Sequence, residues 1–402
     1  MNIKRTIFLS LLLTNTLIVS ANKGSSSKEK ISFKFDKVIS FAEQQYTKAC
    51  STLDITKGMP RNAHADGTWR QTGIRDWVSG FFPGSLWYIY ELTGNQKWEK
   101  EARKWTEALE DVQSYDGNHD SGFMVYCSYG NGYRLTKDES YKQIILNTSQ
   151  TLSTRYRPEV GTILSWGNIH QKNPTKHITI IDNMMNLEML MWASKNGGSK
   201  KFADISITHS NTTLKHHFRK DGSSYHGVIY NPKNGEVINK RTYQGYNDET
   251  MWARGQSWGI YGYVMMYRET GMKKYLKMAM KCADRCIERL PEDVIPYWDY
   301  DAPGIPKREK DASAASIMAS AFLEIYEHTG KIEYYNWAVK MLNTLSTKAY
   351  WPTKDNYQCI ILHSVGHYPG NSEVNVNINY ADYYYLEAIV RLKRLTETGS
   401  IF

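Results

Sequence analysis

The segment Ile180-Ile181-Asp182-Asn183-Met184-Met185-Asn186-Leu187 sets a carboxylate directly behind two isoleucines and ahead of the apolar run Leu187–Ala193. An acid placed there meets little water. Burial raises a carboxylate's pKa, and a second carboxylate nearby raises it further, so Asp182 could hold a proton near neutral pH and donate it as a general acid. The plain alternative is a helix N-cap, with Asp182 or Asn183 accepting from the first free N–H groups of a helix running toward Ala193. On this stretch alone the cap is the commoner use of an aspartate.

A second acid, Asp120, sits in Asn118-His119-Asp120-Ser121-Gly122-Phe123-Met124. It could approach Asp182 if both segments line the same end of the fold; otherwise it reads as an Asx-turn residue holding its own loop. Polar groups then crowd residues 223–258: Ser223-Ser224-Tyr225-His226, Gln244-Gly245-Tyr246, and Trp252-Ala253-Arg254-Gly255-Gln256-Ser257-Trp258. Arg254 offers a planar fork for a carboxylate, and a tryptophan offers a face for a sugar ring. The bland counterparts are Trp258 as core, Arg254 paired with Asp248 or Glu249, and His226 as a hydrogen-bonded strand residue. There is no Gly-x-Ser-x-Gly elbow, Walker loop or dinucleotide glycine fingerprint. His209, His216 and His217 lack metal-ligand company. Neither metal nor cofactor is expected, and the chemistry left is acid–base work by carboxylates.

The elements that must carry these residues repeat a theme. Gly84–Gly94 is followed by Trp98 and a helix through Leu109; Ser257–Gly271 by Tyr275 and a helix through Leu290; Ser316–Gly330 by Tyr334 and a helix through Leu345; Leu187–Gly197, with Phe202, is a looser copy. Helix, glycine cap, aromatic staple, helix is an αα-hairpin. The long aromatic and polar segments 118–133, 163–181, 223–250 and 357–377 suit loops gathered around one pit better than the short turns of an open solenoid. The pattern predicts an all-α chain, an (α/α)6 barrel forming one domain over 31–396. Ile31–Lys48 reads as its first amphipathic helix, 58–76 as a loop, and short strands fall at Tyr225–Tyr230 and Glu236–Arg241.

Composition agrees with a folded, sugar-facing protein: 41% of the 402 residues are hydrophobic, and 29 Tyr and 12 Trp suit a carbohydrate cleft. The formal charge of +9 favours acidic partners such as acidic polysaccharide fragments. Scattered lysines, with no basic run interleaved with aromatics, argue against nucleic acid. Five cysteines in so long a chain do not make a disulfide framework, and Cys282 and Cys286 read as buried thiols on one helix face. Residues 1–21 have the charged start (Lys4, Arg5), apolar middle and small-residue end of a secretory signal, with 22–30 as a flexible linker. Export to a periplasm is expected, with no membrane span and a monomer or weak homo-oligomer.

The ordered motifs Trp77-x-x-Gly80-Phe81-x-Pro83-Gly84, His119-Asp120-x-Gly122-Phe123, Ile181-Asp182-Asn183-Met184-Met185-Asn186, Asp221–His226, Gln244-Gly245-Tyr246 and Trp252–Gly259, ending in Tyr380–Ala388, resemble the unsaturated glucuronyl hydrolases of glycoside hydrolase family 88. The resemblance implies an (α/α)6 barrel that removes the Δ4,5-unsaturated uronic acid left at a non-reducing end by polysaccharide lyases. By it, Asp182 is the general acid and base, and Asp120 is the second aspartate that holds the substrate and keeps Asp182 protonated. Trp77, His119, His226, Gln244, Trp252, Arg254 and Trp258 fall on substrate-pocket positions. Tyr243 departs from the histidine that many members carry there. His367 and Tyr368, in the 363–371 loop, are candidates for a second sugar's subsite. Competing readings are an unsaturated rhamnogalacturonyl hydrolase acting on pectin fragments, an inverting glycosidase acting on saturated sugars, and a non-catalytic glycan-binding protein.

Overall fold

Three helical hairpins turn on a single glycine each. Gly94, Gly271 and Gly330 adopt left-handed φ values of 67°, 68° and 66° and donate their N–H groups to Tyr90, Tyr267 and Tyr326. A side chain would strain that conformation, which is why glycine ends these helices. The computed structural model describes residues 29–64 and 66–402. The expected signal at 1–21, and the 22–30 linker apart from Glu29 and Lys30, lie outside the described residues.

The helices are α1 (Phe35–Thr52), α2 (Phe81–Thr93), α3 (Gln96–Glu107), a π-helical segment (Gly122–Gly130) continuing into α4 (Asn131–Thr136), α5 (Glu139–Ser153), α6 (Asn183–Lys195), α7 (Lys201–His216), α8 (Ala253–Thr270), α9 (Lys273–Ile287), α10 (Ala312–Thr329), α11 (Ile332–Leu345) and α12 (Asn379–Thr398). An inner ring runs α2, π segment, α6, α8, α10, α12, each packed on the next, and α12 returns to α2. Helices α1, α3, α5, α7, α9 and α11 lie outside it. This is an (α/α)6 barrel. The inner helices are buried on every side, as at Ala253–Met266 and Ala312–Ile325, whereas the outer ones bury one stripe.

Because inner helices pass to outer ones by tight turns and return by long connections, every long connection lies at one end. That end also holds the N-termini of all six inner helices. Four small sheets occupy it: β1 (Met59–Ala63) with β2 (Trp69–Thr72), β3 (Tyr156–Arg157) with β4 (Thr162–Ile163), β5 (His177–Ile180) with β6 (Gly227–Tyr230) and β7 (Val237–Arg241), and β8 (Ser364–His367) with β9 (Ser372–Val376), all antiparallel. The strands expected near 225–230 and 236–241 are thus β6 and β7.

Three boundaries differ from expectation. Helix α1 starts at Phe35, because Ile31 instead donates its N–H to Asn336 of α11. The stretch 58–76, read as a loop, contains the bulged hairpin β1–β2. The stretch 118–133 is mostly helical; it is buried all round, so it lacks the 3.6-residue pattern that marks a surface helix. All five cysteines are free.

The opposite end of the ring is closed by charge. Arg268 reaches Glu188, Glu269 and Glu324; Arg391 reaches Glu324; Glu387 accepts from Tyr88, Tyr261 and Ser320. Glu188, Arg268, Glu387 and Arg391 border a cavity of about 310 Å³. Burial alone would raise the Glu324 carboxyl, but Arg268 and Arg391 override it and hold it at about 2. Its stabilisation is therefore fully present above the unfolded value near 4.5 and is lost as the pH falls toward 2. Glu324→Gln is expected to cost about 3 kcal/mol in urea denaturation at neutral pH, the scale of a broken buried ion pair. A loss under about 0.5 kcal/mol would show that the network adds nothing.

Candidate active site

The short strand β5 delivers Asp182 to the mouth of the ring. Ile181 donates its N–H to the His226 carbonyl at 2.9 Å, and α6 begins at Asn183. Asp182 stands at the N-cap position, yet its carboxylate makes no capping bond. Asn183 does not cap either: its amide donates to the Ile163 carbonyl and to Ser165. The carboxylate is thus buried without serving the helix.

Asp120 precedes the π-helical segment. Its backbone N–H donates to Asn118 at 2.9 Å, so Asn118 makes the Asx turn and the Asp120 carboxylate is left for other work. Gly122 then lies flat against α6: a Cβ there would come within 2.6 Å of Asn186 Oδ1 and 2.7 Å of its Cα. Asn186 Oδ1 accepts the Phe123 N–H at 3.1 Å and fixes that approach. Two helices that close bring Asp120 into the field of Asp182.

Burial pushes both carboxyls up. Burial lifts Asp182 to about 7, pulled back chiefly by the charge of Arg254. Asp120 rises well above the ordinary range, through burial first and repulsion from Asp182 second. Both carboxyls therefore hold their protons to higher pH than an exposed aspartate, and ionised Asp182 holds Asp120 protonated further. Asp182 Oδ2 is buried and without a hydrogen-bond partner.

His226 faces that oxygen, with Nε2 at 3.6 Å from Asp182 Oδ2. Its Nδ1 lies 3.1 and 3.3 Å from the backbone nitrogens of Tyr243 and Gln244, whose N–H groups it accepts. Burial, then Arg254, keeps the ring neutral. Since Nδ1 accepts, the single proton sits on Nε2 and points at Asp182. Tyr243 supplies only its backbone to this contact, and its ring stands edge-on to Trp166 and His226.

The remaining expected residues fall around this centre in different ways. Trp252 stacks on His226 at 4.2 Å. Trp77 is half-buried, packed on Phe123 and Tyr380, and with Gln244 lines a second cavity of about 230 Å³. Trp258 is fully buried, and so is His119, held neutral by burial at about 3, with Nε2 3.3 Å from Asp120 Oδ1. Arg254 is buried too, and its fork is occupied: it donates to the carbonyls of Val365 and Gly366 and pairs with Asp311 at 3.4 Å. Only its Nε lacks a partner. The fork expected to take a substrate carboxylate thus holds β8 in place and lends its charge to Asp182. His367 borders the second cavity, while Tyr368 stacks flat on Trp298 at 4.2 Å.

Four residues of the mouth were not among the expected site residues. Trp166 walls the mouth beside Tyr243; its signal was a lone tryptophan in a polar connection. Tyr380, at the start of α12, buries an unpartnered hydroxyl between Trp77 and Arg254. Arg61 and Glu373 pair at the second cavity from positions 312 residues apart, and no local pattern links them. Native interiors leave few buried polar atoms unpaired. Here Asp182 Oδ2, His226 Nε2, Trp258 Nε1, Arg254 Nε and the Tyr380 hydroxyl are all unpaired. Among the described residues no group of three or more His, Cys, Asp or Glu could hold a metal, and no helix is long and apolar enough to cross a membrane.

A closed helical ring with two buried, uplifted carboxyls at its aromatic mouth places the chain in the class of glycoside hydrolases. The chain belongs to Glycosyl Hydrolase Family 88, whose profile matches residues 54–302. It is 40% identical to an unsaturated glucuronyl hydrolase of Formosa agariphila across 98% of this chain and 99% of that one. A Bacillus sp. unsaturated glucuronyl hydrolase is 33% identical, across 79% and 86% respectively. The crystal structure of an unsaturated glucuronyl hydrolase specific for heparin superposes with a TM-score of 0.86 at 42% identity, across 90% of this chain and 98% of that one.

The coupling between the acids has a direct readout. In Asp182→Asn, Asp120 should titrate at lower pH than in the wild type, followed by carbon-13 carboxyl NMR, because the repelling charge is gone while burial remains. An unmoved Asp120 titration would show that the two carboxylates do not share a site.

Proposed function

We propose that the protein removes the Δ4,5-unsaturated uronic acid from the non-reducing end of lyase-generated glycosaminoglycan oligosaccharides, by protonation at C4 and hydration at C5. The observation that carries this reading is Asp182: a buried carboxyl lifted to about 7, at the mouth of the ring, with one oxygen unpartnered. A Δ4,5 uronate is an enol ether. A proton delivered to C4 leaves oxocarbenium character at C5, and water adds there. Asp182 gives the first proton and accepts one from that water, so one residue serves as acid and base. The resulting hemiketal opens at the ring oxygen, and the hemiacetal formed at C1 releases the rest of the chain. In this scheme Asp120 keeps a proton within the pair, and the His226 Nε2–H steadies Asp182 whenever it is ionised.

Unlike the usual pairing, where two carboxylates flank the anomeric carbon at a separation set by retention or inversion, attack here is not at C1. The inner-helix N-termini, with their partial positive charge, suit a substrate bearing a carboxylate. The likeness to a heparin-specific relative supports heparin-derived disaccharides as the first glycan to try. Export remains part of the proposal, checked by sequencing the N-terminus of the mature protein.

The conjugated C4=C5 bond absorbs in the ultraviolet, so turnover bleaches the substrate. Wild-type protein should bleach unsaturated disaccharides from heparin, chondroitin or hyaluronan in preference to pectin-derived ones. Asp182→Asn should lose about 10²-fold or more in kcat with its fold intact, the scale of a missing general acid. Because the donor must be protonated, wild-type kcat/KM should fall as the pH rises through about 7, where Asp182 ionises. Near wild-type kcat in Asp182→Asn, or no bleaching by the wild type, would contradict the assignment.

A further inference from the structure

The second cavity, of about 230 Å³, adjoins the reacting centre through Trp77 and Gln244, and Arg61, Gly366, His367 and Glu373 line it as well. On the hydrolase reading above, the sugar next to a uronate at Asp182 is assigned to this side, because Gln244 lines the cavity and donates its backbone N–H to His226, which faces Asp182. Glycosaminoglycan disaccharides differ in whether that sugar carries sulfate, and a guanidinium in such a cavity is the usual receptor for sulfate.

Here the guanidinium is already taken. Arg61 Nε and Nη2 donate to the two oxygens of Glu373 at 2.7 and 2.8 Å, a full bidentate pair. Its Nη1 donates to both oxygens of Asp76 at 2.6 and 2.7 Å. A second cation, Arg70, also leans toward Glu373, with Nη2 4.0 Å from Oε1. The Glu373 side chain is only 5% exposed, so this is a built contact and not a surface pair.

Glu373 itself stands in left-handed backbone. In the β8–β9 hairpin Asn371, Glu373 and Asn375 adopt φ values of +47°, +56° and +57°, a region that costs a side-chain-bearing residue about 1–2 kcal/mol. The carboxylate lies across Gly366, where a Cβ would come within 2.5 Å of Glu373 Oε2. The Gly366 carbonyl in turn receives Arg254 at 2.7 Å and Gln244 at 3.4 Å. Glu373 is therefore braced by the same backbone that Arg254 holds beside Asp182.

We propose that Glu373 is a built-in anion, occupying the Arg61 fork that a sulfate group would otherwise use, and that it makes the enzyme discriminate against disaccharides sulfated on the sugar next to the unsaturated uronate. Carboxylate oxygens, not free N–H groups, then meet an incoming sulfate. Glutamine in place of Glu373 keeps the shape, removes the charge and frees the cationic edge of Arg61.

The test compares kcat/KM for unsulfated, 6-O-sulfated and N-sulfated unsaturated disaccharides in wild type, Glu373→Gln, and Glu373→Gln combined with Arg61→Met. Wild type should prefer the unsulfated forms. Glu373→Gln should move the sulfated-to-unsulfated ratio by about tenfold or more toward the sulfated forms, the scale of one recovered hydrogen bond to a charged group. Adding Arg61→Met should abolish that gain. An unmoved ratio in a Glu373→Gln protein of wild-type melting temperature would overturn the proposal, as would a wild type indifferent to sulfation. Calorimetric binding of the same disaccharides, on an Asp182→Asn background, separates this from the hydrolase reading. Discrimination in binding without wild-type bleaching supports the role of Glu373 and counts against the hydrolase. Bleaching without discrimination does the reverse, and neither binding nor bleaching overturns both.

Discussion

Two buried carboxyls, Asp182 and Asp120, the second repelled by the first, are the constraint to which the rest of the mouth answers. Lifting Asp182 from 3.8 to about 7 means that its ionised form is disfavoured by about 4 kcal/mol in the folded chain. That penalty appears as the pH rises above the unfolded value near 3.8 and is fully developed above about 7. The fold sets the pair at the end of the ring where all six inner helices present their partly positive N-termini. It adds a neutral histidine aimed at one oxygen and an arginine whose charge is felt without direct contact. None of these neutralises the pair, and a fully neutralised pair would be a poor acid.

Positioning runs outward from there through backbone atoms. Gly122 allows the π-helical segment to touch α6, and that touch sets the spacing of the two acids. Arg254 donates its fork to the carbonyls of Val365 and Gly366, and so ties the β8–β9 hairpin to the surroundings of Asp182. Gly366 then carries the weight of Glu373. The ring thus presents the surroundings of Asp182 and a neighbouring pocket as one connected piece. The opposite end of the ring, closed by Arg268, Arg391, Glu188, Glu324 and Glu387, keeps the barrel's polar interior paired.

Much of this architecture was legible in the chain. Gly94, Gly271 and Gly330 announced their hairpins because a left-handed cap needs glycine. The hairpin from α4 to α5 was silent, since Lys137 takes the left-handed position at φ 59° and leaves no glycine to read. The setting of Asp182 among isoleucines and methionines was visible, but whether its carboxylate capped α6 depended on a side-chain direction that no spacing encodes. The fork of Arg254 was recognisable by type; that protein carbonyls would fill it was not, because Val365 and Gly366 lie more than a hundred positions away. Arg61 and Glu373 were invisible for the same reason.

Isotope labelling tests the central chemistry most directly. In heavy water, quenched within a single turnover, hydration at C5 places one deuterium on C4 of the released uronate, on one face only, as the C4=C5 bond disappears. Deuterium on a single face is the expected result, because a fixed carboxyl delivers the proton from one side. A released uronate that keeps its C4=C5 bond and carries no deuterium would mean ordinary cleavage at C1, and Asp182 would not be the donor to C4.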